Sequence, residues 1–363
     1  MLVVDARSPR PEIDSGSVRM VALLRLFSEL GLPPAFVADD FRSHAIDAPL
    51  VRTDDVRDAR SATAWLDRHA TSLQLVLLSR HTVASHWLPL VRARLPGVPV
   101  IFDTVDLHFV REFRQADLAR STALRLLAAT TRRRELELVD AADRTWVVSR
   151  SEREHLEVLR PGSRVDCVSN IVDPHPDPPA MNARTDYVFV GNFRHEPNVD
   201  AAKWLESIWP RLHRRRPEAR LLIVGPSMPG AVAARLASLQ GVEVLGHVPD
   251  LDAVLMRARV MLAPLRYGAG VKGKINAAFA CGLPVVATSC AVEGMQLDDK
   301  QVALVADDET DFVVQAARLY DDGELWLSCR DAGTESLTRY FSTQAARTAI
   351  VDSLQRLGIV VSR

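Results

Sequence analysis

The chain has no run of about 18 apolar residues, so no segment is expected to cross a membrane as a helix. Its opening MLVVDARSPRPE lacks the basic stretch and long apolar core of a secretion signal. Cysteine is scarce: Cys167, Cys281, Cys290 and Cys329 lie far apart with no CxxC pair. A disulfide framework or a zinc site of paired ligands would need closer spacing. The four read instead as reduced, mostly buried thiols of a cytoplasmic protein with no metal site. Neither charge is in excess, with 45 Lys and Arg against 46 Asp and Glu, so no nucleic-acid partner is expected. No GxGxxG follows a strand pattern, which argues against a nicotinamide-dependent dehydrogenase. A GxxxxGK[ST] phosphate loop is also missing.

What is present is length and alternation. At 363 residues the chain exceeds the roughly 250–300 at which one hydrophobic core stops growing, so two domains are expected. Short apolar runs alternate with longer amphipathic stretches: LVV (2–4), AFVA (35–38), LQLVLLS (73–79), VPVIF (98–102), RTWVVS (144–149) and RVDCVSNIV (164–172) read as strands. Between the first two, residues 18–31 carry apolar positions at three- and four-residue spacing and end at Gly31, a helix with its stop. The stretch PHPDPPAMNAR (174–184) has four prolines in six residues and reads as a linker. A second series follows: DYVFVG (186–191), RLLIVG (220–225), VEVLGHV (242–248), RVMLAPL (259–265), LPVVAT (283–288) and VALVA (302–306). The pattern predicts an α/β protein of two Rossmann-like, doubly wound parallel-sheet domains facing a cleft. The expected divisions are 1–173, a linker at 174–185, 186–341, and a C-terminal helix at 342–363 that packs back on the first domain. The arginine runs 132–134 and 214–216 sit at the edges of charged helical patterns and read as solvated faces.

Ligands of open parallel sheets bind beyond the carboxyl ends of the strands, so the residues after each strand come first. Glycine recurs at the ends of successive strands in the second series, in GNFRHEPN, GPSMPG and GHVPDLD. Such glycines suit backbone that must approach something closely. Asn198 is expected to N-cap the helix after the first of these turns, and Asp250 the helix after the third. YGAGVKGKINAAFACG (267–282) places Gly268, Gly270 and Gly273 ahead of a helix that starts near Lys274. Exposed N–H groups there favour an anion. Lys272 and Lys274 at that end oppose the helix dipole, which makes sense if they face an anion such as a diphosphate. A tight turn with two solvated lysines fits equally well.

GAGVKGKINAAFACGLPVVAT, VGNFRHEPNVDAAKWL, IVGP and LGHVPDLDAVLMRARVMLAPL together resemble the nucleotide-binding half of GT-B glycosyltransferases. Within these they resemble the retaining family 4 (glycosyl transferases group 1), over roughly 186–341 and more loosely in the first domain. The resemblance implies a nucleotide-diphosphate-sugar donor held by the second domain, and a glycan or lipid-linked acceptor of cell-surface polysaccharide synthesis held by the first. It implies no cofactor and no catalytic metal, because cations and a helix end neutralise the leaving diphosphate. Peripheral contact with the inner face of the membrane is compatible with such an acceptor. Lys272 and Lys274 take the diphosphate role, with Arg194 a weaker candidate; Gly270 and Val271 belong to the same loop. Gly191 and Asn192 would line the donor cleft, and residues 246–248, His247 among them, would border the base. Gly16, in PEIDSGSVRM, resembles the short glycine loop facing the donor phosphates, although Asp14 and Ser15 could simply cap the helix there.

The family carries two glutamates eight positions apart where Ala269 and Ala277 stand here. Glu293 is the nearest carboxylate downstream: it either holds a ribose or sugar hydroxyl or caps the next helix. In IFDTVDLHFVRE (101–112), relatives place a His beside an Asp that contacts the transferred sugar; aligning Asp106 with that Asp puts Val105 at the His position. Asp103, Asp106 and His108 are the catalytic candidates, with Arg111 and Glu112 nearby. A lone His81 after Ser79 and Arg80 reads as structural. The missing glutamates also raise a non-catalytic GT-B protein that binds a glycan or a partner transferase. A sugar-nucleotide 2-epimerase shares the two-domain fold.

Overall fold

The computed structural model describes residues 1–42, 44–51, 53, 55–296 and 303–361. The chain divides into two compact units, one of residues 1–171 and 343–363, the other of residues 172–342.

In the first unit, strands and helices alternate in the order β1 (Leu2–Asp5), α1 (Ser15–Glu29), β2 (Ala35–Ala38), α2 (Ala59–His69), β3 (Val76–Ser79), α3 (His81–Arg94), β4 (Val100–Asp103). They continue as α4 (His108–Leu118), α5 (Thr122–Ala141), β5 (Arg144–Val147), α6 (Arg150–Leu159) and β6 (Val165–Cys167). The sheet order is β2-β1-β3-β4-β5-β6, all parallel. The strands read as unbroken apolar runs because both faces are covered. Leu2, Val4, Val76, Leu78, Val100 and Phe102 enter one core, and Val3, Leu77 and Ile101 the other. Helix α1 starts three residues earlier than its apolar spacing suggested, because Asp14 caps it by accepting from the Ser17 N–H at 2.8 Å. At its far end Gly31 takes φ 78°, and Gly31 and Leu32 donate back to Ser28 and Phe27.

The second unit runs β7 (Tyr187–Val190), α7 (Glu196–His213), β8 (Leu221–Val224), α8 (Gly230–Ala237), β9 (Val242–Gly246), α9 (Leu251–Arg257), β10 (Val260–Ala263), α10 (Gly273–Ala280). It ends with β11 (Val285–Ala287), α11 (Ser289–Val292), β12 (Leu304–Val305), α12 (Glu309–Asp321) and α13 (Gly323–Tyr340). Residue 302, the start of the last predicted strand, lies outside the described residues. The sheet order is β12-β11-β10-β7-β8-β9, the Rossmann order read from its edge. The proline-rich stretch is part of this unit. Fully buried Arg184 donates to the carbonyls of Pro179, Leu255, Ala258 and Cys281, which ties the stretch to α9 and α10.

The last helix, α14 (Thr343–Gln355), belongs to the first unit. Its Ala346, Ile350 and Leu354 recur at four-residue spacing and join the core of Leu23, Leu24 and Phe27 from α1. Trp146 of β5 donates its indole N–H to Ser353 at 2.8 Å, which fixes the helix in register with the sheet. Among the described residues, no helix is long and apolar enough to cross a membrane.

Candidate functional site

In the second sheet the strand order reverses between β7 and β10, and the crevice at their carboxyl ends is where such sheets hold ligands. Three segments line it: the turn after β7, the turn after β8 and the loop after β10. The first two press on each other. A Cβ at Gly225 would fall 1.8 Å from the Gly191 carbonyl oxygen, so what Gly225 approaches is the neighbouring turn. A Cβ at Gly191 would meet the Asn198 side chain at 2.9 Å.

Asn198 does not cap α7. The helix begins at Glu196 after His195, with proline in its first turn, and Asn198 sits inside that turn. Pro197, whose fixed φ suits a first turn and whose missing N–H costs nothing there, moves the start forward. Freed from capping, Asn198 donates its amide N–H to the Asn192 carbonyl at 2.8 Å and accepts from Lys274 Nζ at 2.5 Å. That second bond spans the crevice from α7 to α10. Asp250 does cap α9, accepting from the Ala253 N–H at 2.9 Å.

The two lysines of the loop after β10 have separated duties. Lys272 is only 9% exposed and turns back on its own loop, donating to the carbonyls of Ala269 at 3.0 Å and Gly270 at 2.7 Å. Gly270, at φ 64°, gives the turn that makes this possible. Lys274, in the first turn of α10, lies with its ammonium 4.5 Å from the Phe189 ring centroid. Burial, then the charge of Lys272, pushes its pKa down to about 7. A cation so easily discharged sits at a helix N-terminus, where a bound anion would restore its charge.

Gly191, Asn192, Gly270, Lys272 and Lys274 thus gather around one crevice, and Val271 follows Gly270 in the same loop. Arg194 lies exposed on the β7 turn, donating Nε–H to Ser227 Oγ at 3.3 Å. His247 follows β9, the edge strand two positions from β7, and is exposed. Glu293 follows α11 as its C-cap, whereas α12, the next helix among the described residues, is capped by Asp308 and not by Glu293. Sequence reading passed over Asn276 on α10: it is fully buried, and neither its amide nitrogen nor its oxygen has a hydrogen-bond partner. Its only sequence signal was a polar residue in an otherwise apolar helix face. Among the described residues one set could hold a metal ion, His175, Asp252 and Cys281, with ligand atoms within 4.8 Å of one another. Burial, with the Asp252 carboxylate adding to it, pushes the Cys281 thiol up to about 12, so the sulfur is held as a protonated thiol.

In the first sheet the order reverses between β1 and β3. Arg80, at φ 76° after β3, pairs through Nε with Asp5 Oδ1 at 2.8 Å across that point. Gly16 leaves room for this arginine: a Cβ there would stand 3.3 Å from Arg80 Nη2 and 3.2 Å from Asp14 Oδ1. After β4 the three catalytic candidates part company. Asp103 is fully buried, with both oxygens on Arg19 at 2.8 and 2.9 Å and Ser79 Oγ donating at 3.0 Å. Arg19 also donates to the carbonyls of Val168 and Ser169. That ion pair ties α1, β4 and the end of β6 together.

Asp106 and His108 stay at the rim of the sheet. His108 Nδ1 lies 3.0 Å from Asp106 Oδ1, and Arg111 pairs with the other carboxylate oxygen. Burial lowers the His108 pKa, and Asp106 opposes that shift. His81 meets the His108 ring edge-on at 4.8 Å and is pushed down to about 4 by burial and then by His108, so both rings are neutral near pH 7. Val105, at the position of the family His, holds φ 65°, an outlier for a β-branched residue. The groups that hold this corner were not singled out from sequence. Glu135 on α5 is fully buried and accepts the N–H groups of His108 at 3.1 Å and Phe109 at 2.9 Å. Glu152 on α6 accepts those of Leu107 at 3.0 Å and Val148 at 3.1 Å. Two acidic side chains, one from α5 and one from α6, therefore satisfy the start of α4. Burial pushes Glu135 up to about 8.

Residues 184–322 match the family model described as glycosyl transferases group 1. No curated protein matches the chain. Among solved structures, the chain is similar to sucrose-phosphate synthase from Thermosynechococcus elongatus, at 15% identity and TM-score 0.73, covering 98% of each chain. It is similar to Anabaena HepE in complex with UDP and glucose, at 11% identity and TM-score 0.68, again covering 98% of each. It is also similar to a mutant of S. aureus TarM in complex with UDP and other ligands, at 11% identity and TM-score 0.66. That match covers 81% of this chain and 58% of the other, so the chain spans little more than half of TarM. The protein therefore has the fold of the GT-B glycosyltransferases, two Rossmann-like parallel-sheet domains, and its second domain carries the match to glycosyl transferases group 1.

Proposed function

We propose that the protein is a glycosyltransferase that moves a sugar from a nucleotide-diphosphate-sugar donor to a glycan or lipid-linked acceptor of cell-surface polysaccharide synthesis. The observation that carries this reading is the bond from Lys274 Nζ to Asn198 across the switch point of a Rossmann-order sheet. It puts a dischargeable cation, a helix N-terminus and two glycine turns around one crevice, the chemistry that holds a diphosphate. The complexes of HepE and of the TarM mutant with UDP support the same choice of ligand. Lys274 contacts the diphosphate and neutralises it as it leaves. Lys272 shapes the loop that presents the α10 N–H groups. His108 and Asp106 act on the sugar or acceptor side, as a neutral imidazole beside a carboxylate, while Asp103 serves the fold. In this reading transfer proceeds with retention, without a metal, in the cytoplasm.

A second reading has a specific observation behind it. Ala269 and Ala277 offer no side-chain acceptor where the family has glutamates, so a GT-B protein that binds a glycan or partner transferase without turnover is the competitor. Calorimetry against UDP-, GDP- and dTDP-sugars separates the two. The transferase reading expects one donor to bind, Lys274→Met to abolish its turnover and Lys272→Met to weaken it. Absence of binding to every donor would overturn the transferase reading in favour of the partner protein.

A further inference from the structure

The α4–α5 hairpin of the first unit leaves large apolar side chains in water. Leu126 is 67% exposed, Leu127 63% and Leu118 46%. A single exposed leucine needs no explanation, but three on one hairpin do. Leu126 and Leu127 share helical spacing with Ala123 and Thr130 on α5, all exposed, and Leu118 ends α4 beside the connecting turn. Only Ala128 of residues 122–134 is fully buried, so most side chains of this half of α5 are open to solvent.

The charge around these leucines is one-sided. From Phe113 to Arg134 the chain has six arginines and one aspartate, in a protein whose net charge is −1. Asp117 is already paired with Arg125, which lies 5.7 Å from the Phe113 ring centroid. Arg120, Arg132, Arg133 and Arg134 are exposed. The sequence reading of 132–134 as a solvated face describes the arginines correctly but misses the leucines one and two turns before them. By helical spacing Arg133 and Arg134 flank the leucine face, whereas Arg132 follows buried Ala128 by one turn; an apolar face flanked by arginine is the pattern of a surface that lies in a bilayer interface. The leucines enter the boundary of headgroups and acyl chains, and the long arginine stems reach back to phosphates. A second copy of the chain would bring two arginine-rich tips together, and a nucleic acid would leave the leucines in water.

We propose that the α4–α5 hairpin docks on an anionic membrane surface through Leu118, Leu126 and Leu127 and the arginines Arg120, Arg133 and Arg134. Cosedimentation of the full chain with vesicles tests it, using phosphatidylcholine alone and phosphatidylcholine mixed with phosphatidylglycerol, at low and high salt. Binding to the mixed vesicles only, weakened by salt, is expected. Replacing Arg133 and Arg134 by Gln should weaken it about 25-fold, at about fivefold per arginine. Leu126→Ser with Leu127→Ser should weaken it by at least about tenfold. All four positions are exposed, so circular dichroism should show unchanged folding, and Arg214→Gln with Arg215→Gln on the other unit should bind like the parent. The proposal is overturned by failure to bind anionic vesicles, by equal binding to neutral ones, or by full binding in either hairpin variant. A dimer in sedimentation that the leucine variant dissolves would also overturn it and give the face to a second copy. The readout needs no donor or acceptor, so it stands or falls apart from the transferase reading.

Discussion

If a donor diphosphate recharges Lys274, its binding must take up a proton, and pH sets how much. The free protein holds this ammonium at a pKa of about 7, lowered by burial and by Lys272. With that value, about nine molecules in ten carry a neutral Lys274 at pH 8 and about one in ten at pH 6. A diphosphate within hydrogen-bond reach favours the charged form and returns the pKa toward the usual lysine range. Binding should then take up about 0.9 proton at pH 8 and about 0.1 at pH 6. Affinity should fall about tenfold, or about 1.4 kcal/mol, for each pH unit above 7. Titration calorimetry with UDP-glucose, then with GDP- and dTDP-sugars, in buffers of different ionisation enthalpy reads this uptake directly. Lys274→Met keeps the stem over Phe189 and removes the titrating group, so its pH-dependent uptake should vanish. Equal uptake at pH 6 and pH 8 in the parent, or unaltered uptake in the variant, would refute the reasoning. The same group has a folding signature. Between about 7 and the usual lysine value of about 10.4 the unfolded chain binds more protons, so stability rises with pH through that window and Lys274→Met flattens the rise.

Three further outcomes test the first unit. Asp103→Asn leaves the buried Arg19 charge without its partner and should cost about 3–5 kcal/mol in denaturant unfolding, an effect on folding that a purely catalytic aspartate would not give. Val105→Gly relieves a left-handed backbone at the cost of chain entropy, so its stability should stay within about 1 kcal/mol of the parent, whereas Val147→Gly in the core of β5 should cost about 3 kcal/mol or more. Glu135, pushed up to about 8, holds a proton in the folded state that the unfolded chain has lost. Its contribution is therefore full in acid and is lost as pH rises toward about 8, and Glu135→Gln should flatten that fall in urea midpoints measured from pH 5 to pH 8.

Part of the local geometry of the candidate site was legible because its signals are local. A glycine that turns the chain after a strand, an Asp that caps α9 and a lysine at the start of α10 each depend on a few neighbouring residues. Asn198 shows where local reading failed: as an isolated residue it is a good cap, yet Pro197 just before it starts the helix earlier and releases its side chain. Asp103 and Asp106 look alike in sequence, three residues apart at one strand exit. They diverge because the β4 register buries the first against Arg19, while the second falls past the strand end and meets His108.

The sequence by itself determined the strands, their alternation with helices and their grouping into two parallel-sheet series, because apolar periodicity acts within short stretches of chain. Tertiary structure alone decided which partner each charged group received. Glu135 meets His108 across 27 positions, Arg19 meets Asp103 across 84, and Lys274 meets Asn198 across 76. Strand order, which no single stretch encodes, brings such residues together. Burial then sets the charge of Glu135 and Lys274, since taking a lone ammonium or carboxylate out of water favours its neutral form.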